Sequence, residues 1–235
     1  MQISIKSDIK QLTKRLTKIQ KKQVPFATAL ALTKTAQKVK AEEIKTMERV
    51  FKKPTRFTLN SLFLKPAKKT QLTARVWVKD KAFKGSAAID YLGPQIYGGR
   101  RENKRLEWLL KYKKLMPKNK FVVPGGAIRR NQYGNVSKAQ INKILSNLGA
   151  QFDRYQNTPI DKRSQKPYFI ASPKSGLHPG IWKKTKQGVQ PMFLFVRQPT
   201  YKKRFPFFQV ANKTSKRYFA EEFNKALQTA LRTAR

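Results

Sequence analysis

The amino-acid sequence predicts an α+β fold with N-terminal helices, a mainly antiparallel sheet and a closing C-terminal helix. Apolar residues recur at helical spacing near both ends of the chain. Between these ends, apolar and polar residues alternate in several short runs, which is typical of half-buried strands. Helices and strands are segregated along the chain, and this order favours an antiparallel sheet over a parallel one.

Two helices are predicted near the N-terminus, after a short alternating strand at residues 3–5. Ser7 is placed to cap the first helix, because a serine hydroxyl accepts a hydrogen bond from an early helical N–H. The apolar stripe of this helix consists of Ile9, Leu12, Leu16 and Ile19. Pro25 suits the first turn of the second helix, which extends to about Phe51 and ends before Pro54.

Alternation with a period of two predicts the strands of the sheet. The predicted strands span residues 57–64, 72–79, 87–92, 168–171, 180–183 and 192–196. The loop at residues 65–70 joins the first two strands and suits a hairpin.

Three further helices are predicted in the second half of the chain. Apolar spacing indicates helices at 101–112 and 137–148. Ser137 is placed to cap the second of these, and Gly149 is placed to close it. A last helix, or a pair of helices, begins at Pro206 and continues to the end of the sequence.

The domain organisation is predicted to be simple. No internal repeat, low-complexity tract or linker interrupts the 235 residues, so a single α+β domain over residues 1–235 is expected. Residues 117–165 are rich in Pro, Gly, Asn and basic side chains in their first part, and polar in their last part. We interpret them as a basic insertion or arm between two halves of the sheet.

The charge of the chain is its strongest compositional signal. It carries 53 Lys and Arg against 12 Asp and Glu, a formal net charge of +41. Such a surface repels itself unless a polyanion neutralises it. Hydrophobic residues make up 39% of the chain, too many for a disordered basic tail, so the charge belongs to a folded body. We therefore expect nucleic acid or an acidic protein surface as the partner.

Several classes of protein are disfavoured by residues that the chain lacks. Cysteine is absent, which excludes disulfides and cysteine-based zinc sites. His178 is the only histidine, and its place before Pro179 and Gly180 suits a turn rather than a general base. No apolar run has the ~18 residues of a membrane span. The N-terminus lacks the apolar core of a signal peptide, so we expect synthesis in a cytoplasm and no membrane contact.

An enzyme is disfavoured for a related reason. A metal-dependent nuclease needs clustered carboxylates, whereas the acids here are scattered along the chain. Glu42 and Glu43 are adjacent and therefore lie on different faces of a helix, with Lys38 and Lys45 near enough to pair with them. We predict that the protein has no catalytic residues, no metal and no cofactor.

The candidate binding residues are basic groups next to glycines or to one another. Gly98 and Gly99 can adopt positive φ, so their successive N–H groups can form an anion-binding nest before a helix. The basic residues predicted to contact DNA or another polyanion are Arg100, Arg101, Lys104, Arg105, Arg129, Arg130, Lys183, Lys184, Lys202, Lys203 and Arg204. In the alternative interpretation, the glycines only form a turn and the arginines are solvated.

The clusters point to contact with the DNA backbone, because no base-reading motif accompanies them. Aromatic residues beside the charges, such as Trp182 and Tyr201, have two interpretations. They can stack on bases, or they can occupy sheet or interface positions, and we favour the second.

Several segments resemble the minor tail protein Z family of bacteriophages and the tail-completion proteins of the phage neck. The helix at residues 24–36, with its Val-Pro start and repeated alanines, precedes a strand pair as in that family. Further segments of similar pattern are residues 97–99, 180–185, 191–196, 201–207 and 206–211. The resemblance covers about two thirds of the chain, and residues 117–165 have no counterpart in it.

The resemblance implies a structural virion protein at the head–tail junction or in the tail, built into a homo-oligomeric ring and lacking catalysis. Its expected partners are portal, adaptor or tail-tube subunits and double-stranded DNA bound without sequence preference. Its expected location is the virion, after assembly in the host cytoplasm. A cellular nucleic-acid-binding structural protein, of ribosomal or nucleoid type, is the alternative, although ribosomal proteins usually carry their charge in long basic tails. A DNA-processing enzyme is the third interpretation.

Overall fold

The computed structural model describes residues 2–6, 18–81, 85–159 and 167–233. The chain forms two compact units, a terminal unit of Met1–Gly98 with Lys202–Arg235 and an inserted unit of Gly99–Tyr201. Helices lie near both ends of the chain, and the described strands pair in antiparallel fashion. The predicted α+β class is therefore confirmed.

The terminal unit contains, in its described residues, a three-stranded sheet and four helices. The strands are β1 (Gln2–Lys6), β2 (Leu62–Lys65) and β3 (Thr73–Val78), in the order β1-β3-β2. The helices are α1 (Lys18–Val50), α2 (Arg56–Leu59), α3 (Ala88–Tyr97) and α6 (Phe207–Arg232). The predicted hairpin is confirmed, because β2 and β3 pair with Leu62 opposite Val78.

The two long helices of the terminal unit, α1 and α6, pack in antiparallel directions. Small side chains let their backbones approach closely at one end, in a buried cluster of Ala27, Ala31, Phe223, Ala226 and Ala230. Near the other end, one core cluster includes Val39, Met47, Phe207 and Ala211. Between these ends, Lys38 Nζ lies 2.6 Å from Glu222 Oε1 and 4.2 Å from the centre of the Tyr218 ring.

The sheet of the terminal unit buries one face. Ala74, Val76 and Val78 alternate along β3 and are buried, whereas Arg75 and Trp77 are half-buried. The buried residues of β3 belong to the same core cluster as residues of α1. The half-buried strand predicted from alternation is therefore confirmed.

Of two segments predicted as strands, one begins as a helix and the other is largely helical. At residues 57–64, the Thr55 hydroxyl accepts the N–H of Thr58 at 3.2 Å and caps α2, so the strand begins only at Leu62. Residues 87–92 lie largely in α3. The buried residues of α3 are Ala88, Leu92 and Ile96. Their four-residue spacing forms one helical face, and this spacing prevails over the short alternation seen in the sequence.

The N-terminal helices differ from the prediction in where they start. α1 begins at Lys18, so Pro25 lies inside the helix rather than in its first turn. Proline lacks the N–H that would donate to the preceding turn, and packing against α6 offsets this loss. The other end is as predicted, within one residue of Phe51. The predicted first helix, with Ser7, Ile9, Leu12 and Leu16, lies outside the described residues, and Ile19 belongs to α1.

The inserted unit contains, in its described residues, two helices and two small sheets. The helices are α4 (Arg105–Tyr112) and α5 (Lys138–Asn147). The larger sheet consists of β5 (Phe121–Pro124), β6 (Tyr168–Ile170), β7 (Gly180–Thr185) and β8 (Gly188–Val196), in the order β5-β8-β7-β6. The short strands β4 (Gly99–Arg100) and β9 (Thr200–Tyr201) pair, so the chain enters and leaves this unit side by side.

The inserted unit has a hydrophobic core of its own. Among its members are Leu109, Leu110, Ile144, Leu145, Ile181, Phe193 and Phe195. The helix predicted at 137–148 is confirmed, because the Ser137 hydroxyl accepts the Gln140 N–H at 3.2 Å and α5 follows. The strands predicted at 168–171, 180–183 and 192–196 are confirmed as β6, β7 and β8.

The division of the chain corrects the expectation of one domain with an insertion at residues 117–165. The insertion is larger and runs from Gly99 to Tyr201. β5 lies inside 117–165 and pairs with β8, which lies beyond it, with Val123 opposite Leu194. A boundary at residue 165 would therefore divide one sheet.

One acidic side chain lies within the core face of α1. Glu43 is fully buried and is placed one turn from both Val39 and Met47, which are core residues. Neither of its carboxylate oxygens has a hydrogen-bond partner among the described residues. Burial, with the charge of Glu42 as a smaller contribution, raises the pKa of Glu43 to about 9. The carboxyl is therefore protonated and neutral at pH 7.

We predict that Glu43 makes the folding stability depend on pH. Its folded-state pKa lies above its unfolded value, so the folded state holds a proton that the unfolded chain releases, and stability falls as pH rises. Between the two pKa values this contribution falls by about 1.4 kcal/mol per pH unit. Urea unfolding at pH 5, 7 and 9 measures the free energies of unfolding of wild type and Glu43→Met. The free energy of unfolding of the variant, relative to that of wild type, should increase with pH.

The matched control is Glu48→Gln, on the exposed face of the same helix. It should shift the unfolding free energy by a similar small amount at each pH. Parallel pH profiles for wild type and Glu43→Met would show that Glu43 is ionised in the folded protein.

Candidate polyanion-binding surface

The predicted basic residues are divided between the two units. The inserted unit holds Arg100, Arg101, Lys104, Arg105, Arg129, Arg130, Lys183 and Lys184, and the terminal unit holds Lys202, Lys203 and Arg204. Most of these side chains are exposed, but Lys183 is half-buried and Arg101 is buried.

Arg101 forms a buried ion pair with Glu107 of α4. The exposed fraction is 8% for Arg101 and 0% for Glu107. Arg101 Nη1 donates to Glu107 Oε2 at 2.7 Å, and Nη2 donates to the other carboxylate oxygen, so the contact is bidentate. Arg101 Nη1 also donates to the carbonyl oxygen of Glu102 at 3.0 Å.

Glu107 accepts two backbone hydrogen bonds in addition to those from Arg101. Its Oε2 accepts the N–H of Lys104, and its Oε1 accepts the N–H of Val122, each at 2.7 Å. Burial alone would raise the pKa of Glu107, but the hydrogen bonds from Arg101, Val122 and Lys104 hold it below its ordinary value. The hydrogen bonds that Arg101 donates to the Glu107 carboxylate raise the pKa of Arg101. Both groups are therefore charged at neutral pH, and the pair joins the start of α4 to β5.

This pair corrects the prediction that Arg101 contacts a polyanion. Its guanidinium is fully engaged within the inserted unit and has almost no exposed surface. The neighbouring Arg100, in β4, remains exposed. The sequence shows four cations close together but does not show which of them a buried carboxylate holds.

The predicted nest is also changed by the structure. Gly98 and Gly99 adopt positive φ of 76° and 93°, as expected. They lead into β4 rather than directly into a helix, since α4 begins only at Arg105. The Glu107 carboxylate already accepts a backbone N–H at the start of α4. The positive end of α4 is therefore occupied by the protein's own anion.

The other predicted cations lie on separate elements of the two units. Arg129 and Arg130 follow β5, and Arg130 Nη2 donates to the carbonyl oxygens of Pro124 and Gly125 at 3.3 Å each. Lys184 of β7 lies 5.6 Å from the centre of the Phe169 ring. The arrangement is a set of exposed cations on several elements, which suits contact with an extended polyanion better than binding of a small anion.

The predicted stacking residues occupy sheet positions. Trp182 is half-buried in β7, and its Nε1 donates to the carbonyl oxygen of His178 at 3.0 Å. Tyr201 is half-buried in β9. Sequence reasoning missed a different aromatic group, Trp108 and Tyr112 of α4 with Phe152, whose rings are exposed. The four-residue spacing of Trp108 and Tyr112 on a predicted helix indicates that the two rings are neighbours. No sequence pattern indicates that Phe152 lies beside them.

The two adjacent acids of α1, Glu42 and Glu43, lie in different environments, since Glu42 is half-buried and Glu43 is fully buried. Glu42 Oε2 lies 3.6 Å from Lys45 Nζ, so this predicted ion pair is present. Lys38 instead pairs with Glu222 of α6 and not with an acid of its own helix. The described parts of the chain contain no group of three or more His, Cys, Asp or Glu side chains that could hold a metal ion. Of the helices that the structure describes, none is long and apolar enough to cross a membrane.

Comparison with known proteins adds no relative to this description. No protein-family model matches the sequence, and neither the curated proteins nor the solved structures contain a match.

We predict that two adjacent arginines differ sharply in their effect on stability. Arg101→Ala leaves the Glu107 charge buried without its partner, and should destabilise the inserted unit by about 3–5 kcal/mol at pH 7. Arg100→Ala removes an exposed side chain and should change stability by less than about 0.5 kcal/mol. Urea unfolding, with amide hydrogen exchange to assign the change to the inserted unit, measures both.

The pH dependence provides a second check. The folded-state pKa of Glu107 is depressed, so its contribution is present above its ordinary pKa and is lost as pH falls through the folded-state value. The difference between wild type and Arg101→Ala should therefore shrink in acid. Equal effects of the two substitutions at neutral pH would show that the buried pair does not stabilise the fold.

Proposed function

We propose that the protein is a non-enzymatic structural component of a bacteriophage virion, a tail-completion or neck protein that assembles into a ring. In this proposal its basic surface contacts double-stranded DNA without sequence preference, or acidic faces of portal, adaptor or tail-tube subunits. The virion assignment depends on the sequence resemblance. The polyanion-binding part depends on the charge and on where the charge lies.

The observation that supports polyanion binding is the excess of cations on folded units. Against 53 Lys and Arg in the chain, the described residues contain four ion pairs. One of these pairs is buried and two are local to a helix, so they neutralise little of the surface. Both units have hydrophobic cores, so the charge is presented on folded units and not on a tail. A duplex, which carries one negative charge per ~1.7 Å of its axis, can neutralise many of these cations.

We predict that the protein binds unrelated DNA duplexes with equal affinity and with a steep dependence on salt. Each phosphate that a cation neutralises should lower log K by about 0.9 per decade of salt concentration. Replacing Lys202, Lys203 and Arg204 with Ala should reduce that slope, because these exposed side chains are adjacent. Fluorescence anisotropy with two duplex sequences at several NaCl concentrations measures the affinities and slopes.

The matched control is Lys68→Ala with Lys69→Ala, two exposed cations in the loop between β2 and β3. A similar slope reduction per charge in both variants means that net charge alone directs binding. The duplex should also remain uncut with Mg²⁺ or Mn²⁺. Affinity that did not change with salt would contradict the proposal, as would cleavage that Glu42→Gln abolished.

The virion assignment predicts that the protein is a fixed-copy component of phage particles. Quantitative mass spectrometry of purified particles should recover it in a constant ratio to the portal protein, as expected for one closed ring. Loss of its gene should leave heads and tails unjoined. Particles that lack the protein would overturn the assignment and favour the cellular nucleic-acid-binding alternative.

A further inference from the structure

An exposed aromatic cluster lies on the inserted unit. It consists of Trp108, Tyr112 and Phe152, whose exposed fractions are 50%, 57% and 66%. The rings of Trp108 and Tyr112 are stacked, with centroids 5.4 Å apart and planes 8° from parallel. The Phe152 centroid lies 6.4 Å from that of Trp108 and 5.9 Å from that of Tyr112. The three rings thus form one contiguous surface.

The cluster is held in place by core packing of α4 and by hydrogen bonds around Phe152. α4 buries Leu106, Leu109 and Leu110 in the core of the inserted unit, which directs Trp108 and Tyr112 outward. Immediately before Phe152 in the chain, the Gln151 N–H donates to Asn157 Oδ1 at 3.0 Å. Immediately after Phe152, the Asp153 carboxylate accepts the Tyr155 N–H at 3.0 Å and caps a short 3₁₀ turn. The rings are therefore positioned before any partner arrives.

Three large exposed aromatic rings in contact are unusual on a protein surface and mark an interaction site. These side chains are not needed to fill the core of the inserted unit, which α4 serves through its leucines. Contact among the rings covers only part of each, so their remaining surface is available to a flat apolar partner.

The charges around the cluster define the chemistry of that partner. Arg105 is exposed on α4 and precedes Trp108 by three residues, on the same helical face. Lys113 Nζ lies 5.7 Å from the centre of the Tyr112 ring. Arg154 lies 4.9 Å from the centre of the Tyr155 ring and donates to its hydroxyl at 3.0 Å. The nearby exposed Asp153 contributes one negative charge against the positive charges of Arg105, Lys113 and Arg154, so the rim has a net positive charge.

A partner that complements this surface must combine flat apolar faces with regularly spaced negative charges. Single-stranded nucleic acid has both, because its bases are unpaired and each nucleotide carries a phosphate. A duplex has the phosphates but hides the faces of its bases within the stack. An acidic protein surface has the charge but no repeated flat faces.

We propose that the aromatic cluster is a binding site for single-stranded nucleic acid. Unpaired bases stack on Trp108, Tyr112 and Phe152, and phosphates contact the cations at the rim. This activity is additional to the duplex or subunit contacts of the proposed function and does not depend on the virion assignment. It needs the aromatic rings, whereas duplex binding needs only the charges.

The test compares three labelled probes at one salt concentration: a mixed-sequence 20-nucleotide DNA strand, an abasic strand of the same length, and the corresponding duplex. Wild type should bind the base-containing strand at least about ten-fold more tightly than the abasic strand, the gain expected from stacking one or more bases. Trp108→Ala with Phe152→Ala should remove this preference. Its affinities for the abasic strand and for the duplex should change by less than about two-fold, because no charge is altered.

Three controls make the result specific to the cluster. Phe57→Ala replaces a 65% exposed aromatic of the terminal unit and should leave all three affinities unchanged. Trp108→Phe, as a single substitution, keeps an aromatic ring at this position and should retain most of the preference for the base-containing strand. Circular dichroism and thermal unfolding should show that the variants remain folded, as substitutions at exposed positions permit.

The outcomes separate this proposal from its competitors. Equal wild-type affinity for the abasic and base-containing strands would overturn it, as would a loss in the double variant that extends equally to the abasic probe. A variant that changed the oligomeric state in sedimentation but kept the strand preference would assign the cluster to a protein contact and overturn the proposal. An RNA strand of the same sequence identifies the natural ligand as RNA or DNA, and cluster-dependent binding of either supports the site. Failure of duplex binding with a retained strand preference would overturn only the duplex-binding part of the proposed function.

Discussion

The scarcity of carboxylates constrains the whole structure. The chain has twelve acids against 53 Lys and Arg, so the net repulsion among its charges opposes folding and assembly. Cohesion must come from apolar cores, and each unit has one. Two of the acids lie where a cation has to be held: Glu107 engages Arg101 inside the inserted unit, and Glu222 engages Lys38 between the two long helices. Glu43 departs from this pattern, because it is buried without a cation and stays neutral.

The Arg101–Glu107 pair shows how local charge clustering misleads. Four cations follow two glycines, and the nearest acid in sequence is the exposed Glu102. The carboxylate that holds Arg101 is instead Glu107, reached across the start of α4, where it also accepts the N–H of Val122 in β5. Because one carboxylate joins a helix start, a strand and a guanidinium, the pair organises the inserted unit, and the neighbouring cations are left for other contacts.

The surface offers two kinds of recognition that differ in physical origin. Dispersed exposed cations attract any polyanion, and that attraction weakens with salt. The aromatic cluster of Trp108, Tyr112 and Phe152 offers short-range contact that requires exposed flat faces. A protein with both can hold a nucleic acid by charge and distinguish its strandedness by stacking. The inserted unit contains the cluster together with most of the predicted basic residues, so it is the centre of the functional hypothesis.

The sequence by itself determined the α+β class, the capped helix after Ser137, the alternating strand β3, the closing helix and the net charge, because each depends on local spacing or on composition. Tertiary structure decided the rest. The boundaries of the inserted unit lie at the pairing of β4 with β9, with Gly99 opposite Tyr201, and β5 pairs with β8 inside that unit. The helical state of residues 88–97 follows from burial of one face of α3. Arg101 is buried because Glu107 accepts its hydrogen bonds across the start of α4. Phe152 contacts Trp108 although the two residues are distant along the chain. Periodicity shows which face of an element is apolar, but only packing brings that face to a particular partner.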